Sequence, residues 1–202
     1  MLVDNNSEAV FRNKVIKWLK KKNIQINYVK NKKFNSKIFS KRKTCFFIRN
    51  KINYGCGLGH NPGYDFCLKN DFKYIARIDN DMSLPNNLIF KLSNRLDKNN
   101  KIIALSPKVM FYHKPNLIWF RGATIGVNLK LQKQCASYDP GHLDDKVFKG
   151  LKKTDSLVGC ASMMRVKSLK KVGLSDPDFF YGEEDIELSY RLLKQKVIYM
   201  WT

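Results

Sequence analysis

The chain has 202 residues, a hydrophobic fraction of 44% and a formal net charge of +21. That length suffices for one domain with a hydrophobic core, and no apolar run approaches the roughly 18–20 residues that a membrane-spanning helix requires. The five cysteines form no Cys-x-x-Cys pair, which argues against a disulfide framework or a zinc knuckle. We therefore expect a cytoplasmic globular protein without a signal peptide.

The positive charge has two interpretations that the sequence leaves open. The lysines concentrate between Lys14 and Lys51, and the chain is also rich in Asn and Ile, as coding composition alone would produce. A basic surface also attracts anionic lipid, at roughly 1 kcal/mol per residue. Peripheral contact with an anionic membrane, at its inner face, is therefore one expectation, whereas we do not expect nucleic acid to be the partner.

The predicted elements alternate between strands and helices, which indicates a single α/β domain over residues 1–202 with a mostly parallel central sheet. The basic stretch at 30–43 is expected to be an exposed insertion. Strands are predicted at 2–3, 24–29, 45–48, 73–78, 102–106, 157–166 and 197–201, and one hairpin at 117–120 with 124–131. Helices are predicted at 8–22, 62–69, 85–96, 168–172 and 183–194.

The strand at 73–78 ends in two carboxylates, Asp79 and Asp81. Side chains two residues apart lie on one face of a strand, so both can aim at one point. Hard oxygen ligands of this kind suit Mg²⁺ or Mn²⁺, especially an ion that already carries phosphate oxygens. The alternative is a polar turn, because Asp and Asn are common turn residues. Arg77 is expected to be peripheral.

Several further blocks resemble family 2 glycosyltransferases of the GT-A fold, particularly the rhamnosyltransferase-like members. Residues 2–7 (Leu-Val-Asp-Asn-Asn-Ser) look like the family's second-strand motif, and the glycine-rich run at 53–63 looks like its nucleotide loop. Residues 159–165 and 172–191 look like the family's Gly-x-x-Met-x-Arg strand, its Val-Gly-x-x-Asp turn and its Glu-Asp helix. The blocks follow the family's order and span nearly the whole chain.

The resemblance implies an inverting hexosyl or rhamnosyl transferase. It would use Mn²⁺ or Mg²⁺ to move a sugar from a nucleotide-diphospho-sugar to a glycan or lipid-linked acceptor, as in surface polysaccharide assembly. Asp79 and Asp81 would hold the metal ion, and Asp185 would be the general base with Glu184 as the second candidate. Residues implied in donor binding are Asp4, Asn53, Gly55, Asn61, Asp79 and Arg191. The family's first strand and terminal metal-binding His have no counterpart here, so we expect a chain shortened at both ends.

Each implied role has a simpler alternative. Acidic residues at the start of a helix offset its dipole, glycines permit tight connections, and Arg191 can pair with Glu187 one helical turn earlier. A rival interpretation of the whole chain is a non-catalytic basic module, a remnant of a transferase, that binds nucleic acid or anionic membrane.

Overall fold

The computed structural model describes residues 1–29, 43–127, 133–137, 140–144, 150–195 and 197–201. The chain divides into two compact units, one of Met1–Phe72 with Leu174–Gly182 and one of Lys73–Gly173 with Glu183–Thr202. The predicted α/β class is confirmed, because both units combine helices with strands. The single domain over residues 1–202 stays a prediction, and its basic insertion at 30–43 lies, apart from Lys43, outside the described residues.

The first unit contains a three-stranded parallel sheet in the order β1-β3-β2. The central strand β3 pairs in parallel with both neighbours, and its Phe46, Phe47 and Ile48 are buried together with Tyr64 and Phe66 of the second helix. The elements of this unit are β1 (Leu2–Asp4), α1 (Ala9–Lys21), β2 (Gln25–Tyr28), β3 (Thr44–Arg49) and α2 (Gly55–Lys69).

Helix α2 is longer than the sequence predicted. The glycine-rich run, expected to be a loop ahead of a short helix at 62–69, forms the first turns of the helix. Its glycines allow close packing, since a Cβ added at Gly59 would lie 2.7 Å from Asn5 Nδ2 and one at Gly63 would lie 3.1 Å from Val3 Cγ2. Glycine lowers intrinsic helix propensity, and tertiary packing overrides that preference here.

The second unit is built on a five-stranded sheet in the order β10-β12-β5-β11-β4. Its strands are β4 (Tyr74–Ile78), β5 (Ile102–Pro107), β10 (Leu151–Thr154), β11 (Ala161–Arg165) and β12 (Val197–Trp201), and its helices are α3 (Leu88–Lys98), α4 (Val166–Val172) and α5 (Glu184–Leu193). Only β12 and β5 pair in parallel in this sheet, and the other pairs are antiparallel. The expectation of a mostly parallel sheet is therefore correct for the first unit and wrong for the second, because side-chain periodicity does not encode strand direction.

The core of the second unit lies between α3 and the sheet. Leu88, Leu92 and Leu96 repeat at every fourth residue of α3, which places them on one helix face. They pack with Ile102 and Leu105 of β5 and with Met163 of β11. This packing holds β5 and β11 in the sheet, and β11 pairs directly with β4, the strand that leads into the acidic pair.

Two hairpins replace the single one that the sequence predicted. Strand β7 (Lys114–Phe120) pairs with β6 (Val109–Phe111), and β8 (Ala123–Val127) pairs with β9 (Lys133–Ser137). The prediction was wrong because the two segments, both apolar, were assumed to pair with each other. In the described part of the chain no helix is both long and apolar enough to cross a bilayer.

Candidate functional site

Strand β4 carries one acidic pair to the edge of a cavity in the second unit. Asp79 follows the strand directly, and its backbone N–H donates to Cys160 O at 2.9 Å. Its side chain is partly exposed and Asp81 is exposed. Both residues line a cavity of about 870 Å³. The two carboxylates that the sequence singled out therefore share one solvent-accessible site.

Arg77 is buried and pairs with acids on two elements, Asp79 after β4 and Glu184 of α5, so the expectation that it is peripheral was wrong. Its guanidinium is buried, donates to Glu184 Oε1 at 3.0 Å and lies 3.6 Å from Asp79 Oδ1. The sequence contained evidence for this position, because residues 77 and 79 are two positions apart and project from one face of the strand. Arg77 thus joins the acidic end of β4 to the start of α5.

The start of α5 contributes two acids with different surroundings. Glu184 is buried and engaged by Arg77. Asp185 Oδ1 accepts a hydrogen bond from the backbone N–H of Ile186 at 2.9 Å. Burial, and secondarily the nearby Glu184, raise the pKa of the Asp185 carboxyl, while Arg77 opposes the rise. A carboxylate with a raised pKa is a stronger base near neutral pH.

Gly159 makes room for this arrangement. A Cβ added there would lie 2.8 Å from Asp185 Oδ2 and 3.3 Å from Arg77 Nη2, so a larger residue would displace the carboxylate. The next residue, Cys160, lines the cavity. Burial, together with the negative charge of Asp79, raises the pKa of the Cys160 thiol to about 11. The thiol is consequently neutral at physiological pH and is no nucleophile there.

The cavity has an aromatic and basic wall that sequence periodicity does not predict. Phe111, Tyr112 and Trp119 line it with exposed fractions of 38%, 76% and 44%. Lys108 also lines it and is paired with Asp144 at 2.5 Å. Exposed aromatic rings beside carboxylates offer flat apolar surfaces together with hydrogen-bond acceptors, a combination suited to a polyhydroxylated ring.

The donor set fits a hard divalent ion. Asp79 and Asp81 provide carboxylate oxygens, the preferred ligands of Mg²⁺ and Mn²⁺. Within the described ranges no group of three or more His, Cys, Asp or Glu side chains could enclose a metal ion. Two carboxylates match the common Mg²⁺ site that completes its coordination with water and substrate phosphate oxygens.

In the first unit, Asp4 closes the turn that follows β1. It is buried, and its Oδ1 accepts the backbone N–H of Ser7 at 2.9 Å. Its Oδ2 lies 3.9 Å from Arg12 Nη1 and has no hydrogen-bond partner among the described residues. One buried acceptor is therefore available in addition to the structural hydrogen bond.

Hydrogen bonds among three asparagine side chains stabilise the glycine-rich start of α2. Asn5 donates to Asn53 Oδ1 and to Gly55 O, each at 2.9 Å. Asn50 donates to Asn5 Oδ1 at 2.9 Å and to Gly59 O at 3.3 Å. Of these three amides the sequence predicted a role in donor binding only for that of Asn53.

The remaining predicted donor contacts also make structural interactions. The Asn61 side chain exchanges two hydrogen bonds of 2.9 Å with the backbone of Ser175. Gly55 has a φ of +74°, and an added Cβ there would lie 2.0 Å from Phe180 O. Both residues thus hold α2 against the segment Leu174–Gly182 of the same unit.

Arg191, in the second unit, pairs with Glu187 through both carboxylate oxygens at 2.5 and 2.6 Å and donates to Val172 O at 2.6 Å. The bidentate pair and the capping of α4 correspond to the simpler of its two interpretations. A role near the donor stays a prediction for this residue.

Comparison with known proteins adds evidence on the fold. No protein-family model matches the chain, and no curated protein matches its sequence. A structure of GalNAc-T7, a GT-A glycosyltransferase, with UDP, GalNAc and Mn²⁺ is similar with a TM-score of 0.63 at 14% identity. The match covers 96% of this chain and 34% of that one, so the chain spans about a third of its neighbour's length. A197 from STIV is a weaker match, with a TM-score of 0.45, 10% identity and coverage of 79% and 69%. The first likeness supports a GT-A-like fold.

Proposed function

We propose that this protein is an inverting, metal-dependent glycosyltransferase of the GT-A type. It transfers a sugar, hexosyl or rhamnosyl, from a nucleotide-diphospho-sugar to a hydroxyl of a glycan or lipid-linked acceptor. The observation that carries the proposal is the cluster in the second unit. There, two carboxylates at a strand end line a large cavity, and Arg77 joins that end to a helix start bearing a buried acid with a raised pKa. The fold likeness to a transferase crystallised with UDP, GalNAc and Mn²⁺ is consistent with it.

Asp185 is the general base in this proposal. Its task is to accept the proton of the acceptor hydroxyl as that oxygen attacks the sugar, and a raised pKa improves the acceptance. Glu184 is a weaker candidate because its carboxylate is held by the buried Arg77. A single base without a covalent nucleophile implies direct displacement with inversion, and Cys160, neutral at physiological pH, supplies no alternative nucleophile.

Asp79 and Asp81 would hold the divalent ion against the donor's diphosphate. When bound, Mn²⁺ or Mg²⁺ supplies Lewis-acid neutralisation of the departing nucleoside diphosphate. Arg77 limits the carboxylate repulsion between Asp79 and Glu184, and so keeps the acidic strand end in place before any ion arrives. The aromatic wall of Phe111, Tyr112 and Trp119 provides surfaces on which a sugar ring can stack.

We also propose that Asp4, Asn53, Gly55 and Asn61 of the first unit, and Arg191 of the second, contact the donor nucleotide. Asp4 has the strongest support, since its buried Oδ2 is an acceptor without a hydrogen-bond partner in the described part of the chain. The amides of Asn53 and Asn61 already bond within the protein. Their contribution is therefore expected to be the shape of the glycine-rich helix start.

The test is calorimetric titration of the protein with UDP and GDP in the presence and absence of Mn²⁺. We expect Mn²⁺ to strengthen binding of one nucleotide, and Asp81→Asn to abolish that gain because it removes one formal charge from a hard-cation site. Asp71→Asn is the matched control: Asp71 is an exposed turn residue with φ of 54°, a conformation that Asn also tolerates. Equal affinity with and without Mn²⁺ in all three proteins would refute the metal-dependent mechanism.

A further inference from the structure

Helix α1 presents an apolar stripe to solvent. Phe11, Val15 and Trp18 are spaced like one side of a helix and span about 60° of its circumference. Their exposed fractions are 57%, 38% and 55%, and the neighbouring Val10 is 54% exposed. We call these four side chains the α1 outer face. Single exposed apolar residues are ordinary, whereas a contiguous row of them marks an interaction surface.

An adjacent side of the same helix holds it on the first unit. Leu19 is buried, while Arg12 and Ile16 are partly buried. Arg12 donates to Ser7 O at 2.8 Å and so ties the helix to the turn after β1. The exposed stripe is thus additional to the apolar surface that α1 needs for its own packing.

Lysines border the α1 outer face on one side. Lys14 and Lys21 follow one margin of the stripe, and the Lys14 ammonium lies 5.4 Å from the centre of the Phe11 ring. Residues 9–22 contain one arginine and five lysines and no acidic residue. Apolar and aromatic side chains bordered by lysines form the pattern of helices that lie in a bilayer interface, where the rings enter the acyl boundary and the ammonium groups meet headgroup phosphates.

We propose that the α1 outer face docks the protein onto an anionic membrane surface, with Phe11 and Trp18 inserted between headgroups and the flanking lysines on lipid phosphates. Charge complementarity selects this occupant, since a chain of net charge +21 is attracted to an anionic bilayer. Nucleic acid fits less well, because bases stack on aromatic rings and gain little from the aliphatic Val10 and Val15. The docking does not depend on the glycosyl-transfer chemistry.

The test is co-sedimentation of the full chain with vesicles of phosphatidylcholine alone or mixed with phosphatidylglycerol. We expect binding to the mixed vesicles only. The double variant Phe11→Ser with Trp18→Ser should weaken binding to the mixed vesicles about tenfold or more, because the inserted rings are lost. The double variant Lys14→Gln with Lys21→Gln should weaken that binding by about fivefold per lysine. Quenching of tryptophan fluorescence by brominated acyl chains should occur in the wild type and be largely lost in Trp18→Phe.

The matched control is Ile89→Ser with Phe90→Ser, which removes an equally exposed apolar pair from α3 and should leave vesicle binding unchanged. Far-ultraviolet circular dichroism should be the same for all variants, because the altered side chains are exposed. The proposal is overturned by three results: no binding to mixed vesicles, equal loss in the α3 control, or polynucleotide binding that is stronger and depends on the same α1 residues. In the α1 variants we expect vesicle binding to be lost while nucleotide binding stays intact. That result would support the docking proposal and leave the proposed function unaffected.

Discussion

The substitution Arg77→Met tests the charge arrangement of the candidate site most directly. The guanidinium is 8% exposed and Glu184, its closest partner, is 7% exposed. Methionine matches the length of the apolar part of the side chain but leaves Glu184 buried without a counter-charge. Asp79 also loses a neighbour at 3.6 Å, although its 32% exposure allows water to screen much of that loss.

The size of the effect follows from the distances. Two unit charges 3.0 Å apart attract by about 5 kcal/mol at an effective dielectric constant near 20. Removal of one partner of a buried pair typically costs about 3–5 kcal/mol, since the other charge stays buried and uncompensated. We expect Arg77→Met to lower the free energy of unfolding by about 3–4 kcal/mol, a large part of the stability of a small domain.

The assay is urea unfolding followed by circular dichroism at several pH values. The double variant Arg77→Met with Glu184→Leu should recover most of the loss, since it removes both members of the pair. A loss below about 1 kcal/mol, typical of an exposed pair, would refute the buried cluster on which the site rests.

Three further predictions concern single positions. Asp185→Asn should raise the free energy of unfolding at neutral pH, because the raised pKa of Asp185 means that its charged form destabilises the folded state. This gain should disappear as the pH falls through that pKa toward about 3.9. Urea titrations at several pH values would measure it. The same change should lower turnover about 10²–10⁴-fold if Asp185 is the base, more than Glu184→Gln, and an equal rate in both variants would reject that role. Gly55→Ala should lower the free energy of unfolding by more than about 2 kcal/mol, because φ of Gly55 is +74° and the new Cβ would meet Phe180 O. The control Gly126→Ala, with open space around its Cβ, should leave thermal unfolding nearly unchanged. The Cys160 thiol, with its pKa of about 11, should react with iodoacetamide about a hundredfold more slowly than a free thiol at about pH 8, as peptide mass spectrometry would reveal; fast labelling would place Cys160 in water rather than beside Asp79.

Regular elements were predictable where the period was clear. Helices α1 and α5 and strand β12 lie within a residue of their expected ends, because each has strong amphipathic spacing or a short apolar run bounded by polar residues. The glycine-rich start of α2 was missed, since local propensity argues against a helix there and only the packing against Val3, Asn5 and Phe180 favours it. The predicted pairing of 117–120 with 124–131 was wrong, because side-chain patterns reveal neither the direction of a strand nor its partner.

The candidate site was predictable only in part. The pair Asp79 and Asp81 was found from its spacing, and the acids at 184 and 185 from the family resemblance. The prediction that Arg77 is peripheral was wrong, although residues 77 and 79 share one face of the strand. The roles of Asn5 and Asn50 depend on contacts between residues 45 or more positions apart, and nothing in local sequence encodes such contacts.

The asparagine network of the first unit has a consequence for how the protein ages. Amide groups do not titrate, so the hydrogen bonds among Asn5, Asn50 and Asn53 persist at acidities that neutralise the carboxylates of the second unit. Hydrolysis of the Asn50 side chain to a carboxylate would replace a donor by an acceptor that faces Asn5 Oδ1 and Gly59 O. One such event, favoured by heat, would place a buried negative charge against two oxygens. The asparagine network is thus insensitive to pH and vulnerable to deamidation during storage.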